Sequence, residues 1–153
     1  MSNKITQFLW FKNEAGEAMD FYCSVFKNSK IISKSKGPDG NVFSGVIDLD
    51  RQQIYFLNMR NETDFNEGFS LFVNCETQEE VDYFWDKFTA DGGAESRCGW
   101  LVDKFGISWQ IIPSALMKLM NGPDREKGGR VMNAMLQMNK IIIADLEKAY
   151  NGN

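Results

Sequence analysis

FLWFKNEAGEAMDFYCSVF (residues 8–26) and SLFVNCETQEEVDYFWDKF (residues 70–88) decide the fold, because they repeat one pattern. At a shift of 62 residues Leu9 falls on Leu71, Trp10 on Phe72 and Phe11 on Val73. Further along, Glu17 falls on Glu79, Met19 on Val81, Asp20 on Asp82, Phe21 on Tyr83, Tyr22 on Phe84 and Phe26 on Phe88. Each copy starts as a strand rich in aromatic and branched residues and passes into helical spacing. In the first, Ala15, Ala18, Met19, Tyr22 and Phe26 recur at intervals of three, one, three and four. In the second, Thr77 with Glu80 forms a capping box that opens a helix running to about Ala90. Chance similarity between two amphipathic strand-helix units is the competing explanation of the overlay.

Working outward, the first copy reads as strand Lys4–Phe11, helix Glu14–Phe26, then strands Lys30–Ser35, Asn41–Leu49 and Gln53–Met59. Turns fall at Gly37–Gly40 and Asp50–Gln52. The second reads as strand Phe69–Cys75, its helix, then strands Glu95–Trp100, Leu101–Asp103 and Ile107–Ile112. The fold class is therefore α+β. Tandem βαβββ modules, residues 4–60 and 68–113, build a curled mixed sheet within one domain spanning residues 1–153. A helical extension follows over residues 114–153, with helices at Ser114–Asn121, Asp124–Met138 and Ala144–Tyr150. Met132, Met135 and Met138 recur every three residues; core packing is the plainer reading, an adaptable binding or dimer surface the other.

Composition narrows the function. The chain has 153 residues, 17 Lys plus Arg against 21 Asp plus Glu, and a net charge of −4. That balance argues against nucleic-acid binding, which leans on a dense basic surface. There is no histidine, which removes every mechanism that needs an imidazole. Apolar runs such as Phe8–Phe11 and Ile141–Ala144 stop at four residues. A membrane span needs about 20, so neither a span nor a secretory signal is expected. Cys23, Cys75 and Cys98 are an odd set with long spacings, read as reduced thiols in a cytoplasmic protein. Cys98, placed in a strand by this reading, is a small apolar residue rather than a nucleophile. Glu62, Asp64 and Glu67 read as a solvated link between modules.

Four stretches narrow the class further: residues 8–31, residues 72–88, CGWLVDKFGISWQIIP (98–113) and RVMNAMLQMNKI (130–141). They closely resemble the PhnB-like family, also labelled 3-demethylubiquinone-9 3-methyltransferase domain, of the vicinal oxygen chelate superfamily. The resemblance runs from about Lys4 to Tyr150. It implies a glyoxalase/bleomycin-resistance-like fold, in which each module curls into a half-barrel with ligands on the concave face, and a homodimer. The methyltransferase label finds little support. A cofactor of that kind asks for a glycine-rich strand-to-helix turn. Gly92-Gly93 follows a helix, Gly128-Gly129 lies by the tail helix, and Gly37 and Gly40 sit between strands.

Metal-dependent members of the superfamily place His and Glu ligands on four strands. The resemblance carries those positions onto Gln7, Leu57 or Asn58, Phe69 and Gln110. None is His or Glu, and Phe69 has no donor atom, so neither metal nor cofactor is expected. Strand alternation then makes Gln7, Leu9, Phe11, Asn58, Phe69, Leu71, Ser108 and Gln110 the ligand-pocket candidates, amides on an apolar floor. The resulting reading is a PhnB-like protein that binds a small organic molecule in its cup without metal. One alternative is a metal-independent enzyme on a small organic substrate, using Asn58, Gln110 or a pocket water. Another is a dimeric assembly protein whose cup is filled by its own side chains. No catalytic residue is assigned.

Overall fold

In the computed structural model, which describes residues 4–59 and 62–153, the chain divides into two compact units, residues 1–63 and 64–153. The first unit runs β1 (Gln7–Phe11), α1 (Ala15–Val25), β2 (Ser29–Lys36), β3 (Val42–Leu49) and β4 (Gln52–Asn58). The second runs β5 (Ser70–Cys75), α2 (Gln78–Thr89), β6 (Ala94–Glu95), β7 (Trp100–Val102) and β8 (Ser108–Pro113). Then come α3 (Ser114–Met120), α4 (Arg125–Met135) and α5 (Ile143–Asn151). Each unit holds a four-stranded mixed sheet, ordered β1-β4-β3-β2 in one and β5-β8-β7-β6 in the other. The opening strand pairs in parallel with the last strand of its unit, and the remaining pairs are antiparallel. The same topology twice bears out the α+β reading with C-terminal helices.

In the first unit α1 covers one face of its sheet. Ala15, Ala18, Met19, Tyr22 and Val25 of the helix are buried, as are Leu9, Phe11, Ile47, Leu49, Ile54 and Phe56 of the strands. Phe11 and Phe56 stack at 5.6 Å between ring centroids, and Tyr22 meets Phe56 at 6.1 Å. Burying a side chain of this size contributes roughly 1.5–3 kcal/mol, so this face anchors the unit. In the second unit α2 buries Val81, Trp85 and Phe88, with Phe88 stacked on Trp109 at 4.2 Å. The helix starts where the capping box places it. The Thr77 hydroxyl accepts from the Glu80 N–H, and the Glu80 carboxylate accepts from the Glu76 N–H.

Two local readings need correction. The strand expected over Glu95–Trp100 is only the two-residue β6, and Cys98 sits in the loop before β7. Cys98 takes φ 58° there and donates its N–H to the Met138 carbonyl. A positive φ breaks the extended conformation, so no strand can pass through it. The methionine stripe also divides. Met135 and Met138 pack against the tail cluster of Ile112, Leu116, Val131, Ile141 and Leu146, whereas Met132 is 47% exposed. The helix ends at Met135, so Met138 no longer shares its face. Among the described residues no helix is long and apolar enough to cross a membrane.

The tail is tied to α2 by polar contacts. The Gln78 amide donates to the Ile141 carbonyl at 3.1 Å and accepts from the Ile143 N–H at 2.8 Å. Lys140 and Asp82 form an ion pair at 2.9 Å. That bond holds the Asp82 carboxyl below its ordinary range and raises the Lys140 ammonium.

Candidate functional site

Alternation gives each strand two faces, and α1 takes one of them. The other face of the first sheet is open. Two rows of side chains cross it, set by the pairing of neighbouring strands. Phe8, Tyr55, Val46 and Ser33 form the first row; Trp10, Leu57, Ser44 and Ser35 form the second. Ser33 and Ser35 reach this face because a bulge at Ile32 shifts the register of β2 against β3. Phe8 is 58% exposed and Tyr55 41%.

A groove of about 300 Å³ lies on this face, lined by Phe8, Ser33, Ser35, Ser44, Val46, Tyr55 and Leu57 with the backbone around Gly45. Its floor is aromatic and aliphatic, and its serine hydroxyls stand toward the β2 edge. That make-up suits a small organic molecule oriented by a few hydrogen bonds.

The residues expected to line a pocket in this unit lie elsewhere. Leu9 and Phe11 are buried beneath α1, and Gln7 is half-buried at the start of β1 on the same side. Asn58 opposes Phe11 and is spent on structure. Its Oδ1 accepts from the Ala15 N–H at 2.8 Å, where Glu14 provides no side-chain cap for α1. Its Nδ2 donates to the Val42 carbonyl at 2.8 Å and the Asn13 carbonyl at 3.1 Å. Asn58→Ala would leave the first free N–H of α1 and two carbonyls without these partners, a cost of about 2–3 kcal/mol in urea unfolding. A loss below about 0.5 kcal/mol would show that water replaces the amide freely.

In the second unit Ser108 and Gln110 lie on the face of the sheet turned away from α2, together with Ser70, Phe72, Trp100 and Val102. The Gln110 amide donates to the Ser70 hydroxyl at 3.0 Å. Ser108 is buried, and Phe72 is 49% exposed. Leu71 instead opposes Trp109 on the helix-covered face, and Phe69 stands 53% exposed ahead of β5.

The positions onto which the resemblance carries metal ligands, Gln7, Leu57 or Asn58, Phe69 and Gln110, do not fit a metal. Leu57 and Phe69 have no side-chain donor atom, the Asn58 Oδ1 already accepts from the Ala15 N–H, and Gln7 and Gln110 offer only neutral amides. Among the described residues no three His, Cys, Asp or Glu side chains gather in a way that could hold an ion. Divalent transition metals take imidazole, thiolate or carboxylate in preference to amides. Two of the three thiols are held protonated by their surroundings. Burial pushes Cys75 up to about 12, with Glu80 and Glu76 adding to it, and burial also raises Cys23. The strand-to-helix connections Lys12–Glu14 and Glu76–Thr77 lack glycine and β8 passes directly into α3 at Pro113–Ser114, so none forms the turn that a nucleotide-like cofactor needs.

The groove residues Phe8, Tyr55, Val46, Ser33, Ser35 and Ser44 escape a reading of β1 alone. One signal could have found them. In β3, Phe43, Gly45, Ile47 and Leu49 form the more apolar set, and the tight hairpin into β4 carries that choice across the sheet.

The family model described as 3-demethylubiquinone-9 3-methyltransferase matches residues 3–112. No curated protein matches. Among solved structures, a PhnB protein from Bacillus cereus is 34% identical over 73% of this chain and 100% of its own, with a TM-score of 0.69. Protein PA1353 from Pseudomonas aeruginosa is 14% identical over 73% and 98%, with a TM-score of 0.60. The fosfomycin resistance protein FosX from Listeria monocytogenes, complexed with Mn(II) and sulfate, is 15% identical over 71% and 89%, with a TM-score of 0.54.

Proposed function

The chain belongs to the 3-demethylubiquinone-9 3-methyltransferase family, the PhnB-like branch of the vicinal oxygen chelate superfamily, and from that membership we propose that it binds a small organic molecule without metal. Membership fixes family and fold; the reaction in the family's label is a property of a site, and sites differ on one fold. The observation that carries the reading is the groove of about 300 Å³ across the open face of the first sheet. Its apolar floor is made by Phe8, Val46, Tyr55 and Leu57, and its hydroxyls by Ser33, Ser35 and Ser44. Gln110 and Ser70, both half-buried, are a second polar pair on the face of the other sheet turned away from α2. The reading includes a homodimer, supported by family resemblance and by the exposed Met117, Met132 and Leu136 of the C-terminal helices. It also includes a reducing cytoplasmic location, supported by three free thiols.

Isotope-labelled protein titrated with small aromatic probes tests the reading. Amide shifts are expected at Phe8, Ser44, Val46 and Tyr55, unchanged by EDTA. Val46→Trp, which fills the groove from its own floor, is expected to weaken binding by at least about tenfold while the remaining spectrum persists. Shifts confined to other surfaces, or binding that EDTA abolishes, would overturn it.

A further inference from the structure

The groove carries a matched pair of hydroxyls. Ser35 of β2 and Ser44 of β3 oppose each other directly, and both line the groove. Directly opposed residues on neighbouring strands hold their Cβ atoms about 4.5–5.5 Å apart. Hydroxyls carried at about that spacing leave room for one oxygen atom between them, about 2.8 Å from each, the length of a good O–H···O bond. Among the described residues neither hydroxyl bonds another group. Val46 stands two residues along β3 from Ser44, about 7 Å at the rise of a strand, with Tyr55 opposite it on β4. The charges nearby do not select a charged ligand. Lys34 borders the groove, but its ammonium pairs with Asp20 of α1 at 2.6 Å. Beyond Ser33 and Val46 the same face carries one charge of each sign, Lys30 and Asp48, opposite each other.

We propose that the groove takes an uncharged aromatic molecule with a hydroxyl or carbonyl oxygen, its ring over Val46 against Tyr55 and its oxygen between Ser35 and Ser44. The inference rests on the groove reading and adds the group that fixes the ligand's orientation. The span from Val46 to the serine pair sets the spacing, about three carbon atoms between ring and oxygen. A neutral oxygen gains two hydrogen bonds there and gives up little hydration. A carboxylate or an ammonium gives up more, and the lining offers no free opposite charge in return.

The test uses the intact protein and three probes with one aromatic body: 3-phenyl-1-propanol, 3-phenylpropylamine and 3-phenylpropionate. Titrations followed by amide shifts are expected to show the alcohol binding at least about fivefold tighter than either charged probe, with shifts at Ser35, Ser44 and Val46. Ser35→Ala and Ser44→Ala together are expected to weaken binding of the alcohol by about tenfold. Two results would overturn this inference while the groove reading stood. One is a charged probe that binds the groove as tightly as the alcohol does. The other is an alcohol that still shifts Val46 and Tyr55 at unchanged affinity in the double variant. If none of the three probes moves the groove residues, the groove reading falls and this inference with it. The order of the probes on the unaltered protein decides the matter even if the double variant does not fold.

Discussion

Asp103→Ala is expected to lower the unfolding free energy by about 4 kcal/mol, the largest loss from any single side chain considered for this chain. Asp103 is 2% exposed at the turn between β7 and β8. Its Oδ1 accepts from the backbone N–H groups of Phe105 at 2.9 Å and Ile107 at 3.1 Å. Its Oδ2 accepts from the Trp109 indole at 2.8 Å. Around these bonds the backbone closes on itself: the Asp103 N–H reaches the Ile107 carbonyl and the Gly106 N–H reaches the Asp103 carbonyl. Trp109 is itself 1% exposed and stacks on Phe88 of α2, so the carboxylate ties the hairpin to the core. Removing it strands an indole donor where water does not reach. Each unsatisfied buried donor costs about 1–3 kcal/mol, and bonds to a charged acceptor lie toward the upper end. Asp103→Asn keeps one acceptor and sets an amide N–H₂ against another donor, for a loss of about 2 kcal/mol. Urea unfolding of the two variants and of Trp109→Phe, combined as a double-mutant cycle, isolates the carboxylate–indole bond. A coupling near zero, or a loss below about 1 kcal/mol for the alanine variant, would show that the turn holds without it.

Asp103 also marks what the sequence can and cannot say. The repeat of residues 8–26 in residues 70–88, the capping box at Thr77 and the order of elements are all local signals, and the structure has them. Which face of each strand meets its helix is not local. In β1 the set Gln7, Leu9, Phe11 and the set Phe8, Trp10 are both apolar enough to be core, so alternation alone names two faces and chooses neither. The choice is made in β3 and passed to β4 by a two-residue turn, Asp50 and Arg51, both at positive φ (47° and 70°). It reaches β1 only through the parallel pairing of Phe8 with Tyr55.

The bulge at Ile32 hides Ser33 and Ser35 in the same way, because it reverses the alternation of β2 halfway along. In the second unit the mixture of Leu71 with Ser108 and Gln110 came from the register of a parallel pair, which no turn specifies. Phe72, not Leu71, opposes Gln110. Asn58 shows a further limit. An amide at a strand end reads equally well as a ligand contact or a cap, and only the nearness of Ala15 decides.

Gly99→Ala is expected to cost about 3 kcal/mol, and the comparison with Gly40→Ala separates its two causes. Both glycines hold positive φ, 83° at Gly99 and 80° at Gly40. An L side chain in that region costs about 1–2 kcal/mol, so this share is common to both. Around Gly40 a Cβ would meet nothing within 4 Å. At Gly99 it would stand 2.6 Å from Ile112 Cδ1, 2.9 Å from the Ile111 carbonyl oxygen and 3.2 Å from Ile141 Cγ1. The isoleucine ends can shift, but the carbonyl is backbone of β8, fixed by its pairing with β5 at Val73 and by the adjoining bond of the Ile111 N–H to the Gly99 carbonyl at 2.7 Å. The Gly99 N–H in turn bonds the Asn139 carbonyl at 2.8 Å, beside the bond from Cys98 to Met138. Gly99 is therefore where the hairpin of the second sheet docks against the segment leading to α5, and a methyl group there pushes on both. Overpacking of this kind adds about 1–3 kcal/mol to the backbone cost. The variants are compared by urea unfolding, with hydrogen exchange at Cys98 and Gly99 reporting the two bonds to the tail. Equal losses for Gly99→Ala and Gly40→Ala would mean that the tail segment stands off the hairpin in solution. A larger loss at Gly99, with faster exchange at both amides, is the outcome that the packing requires.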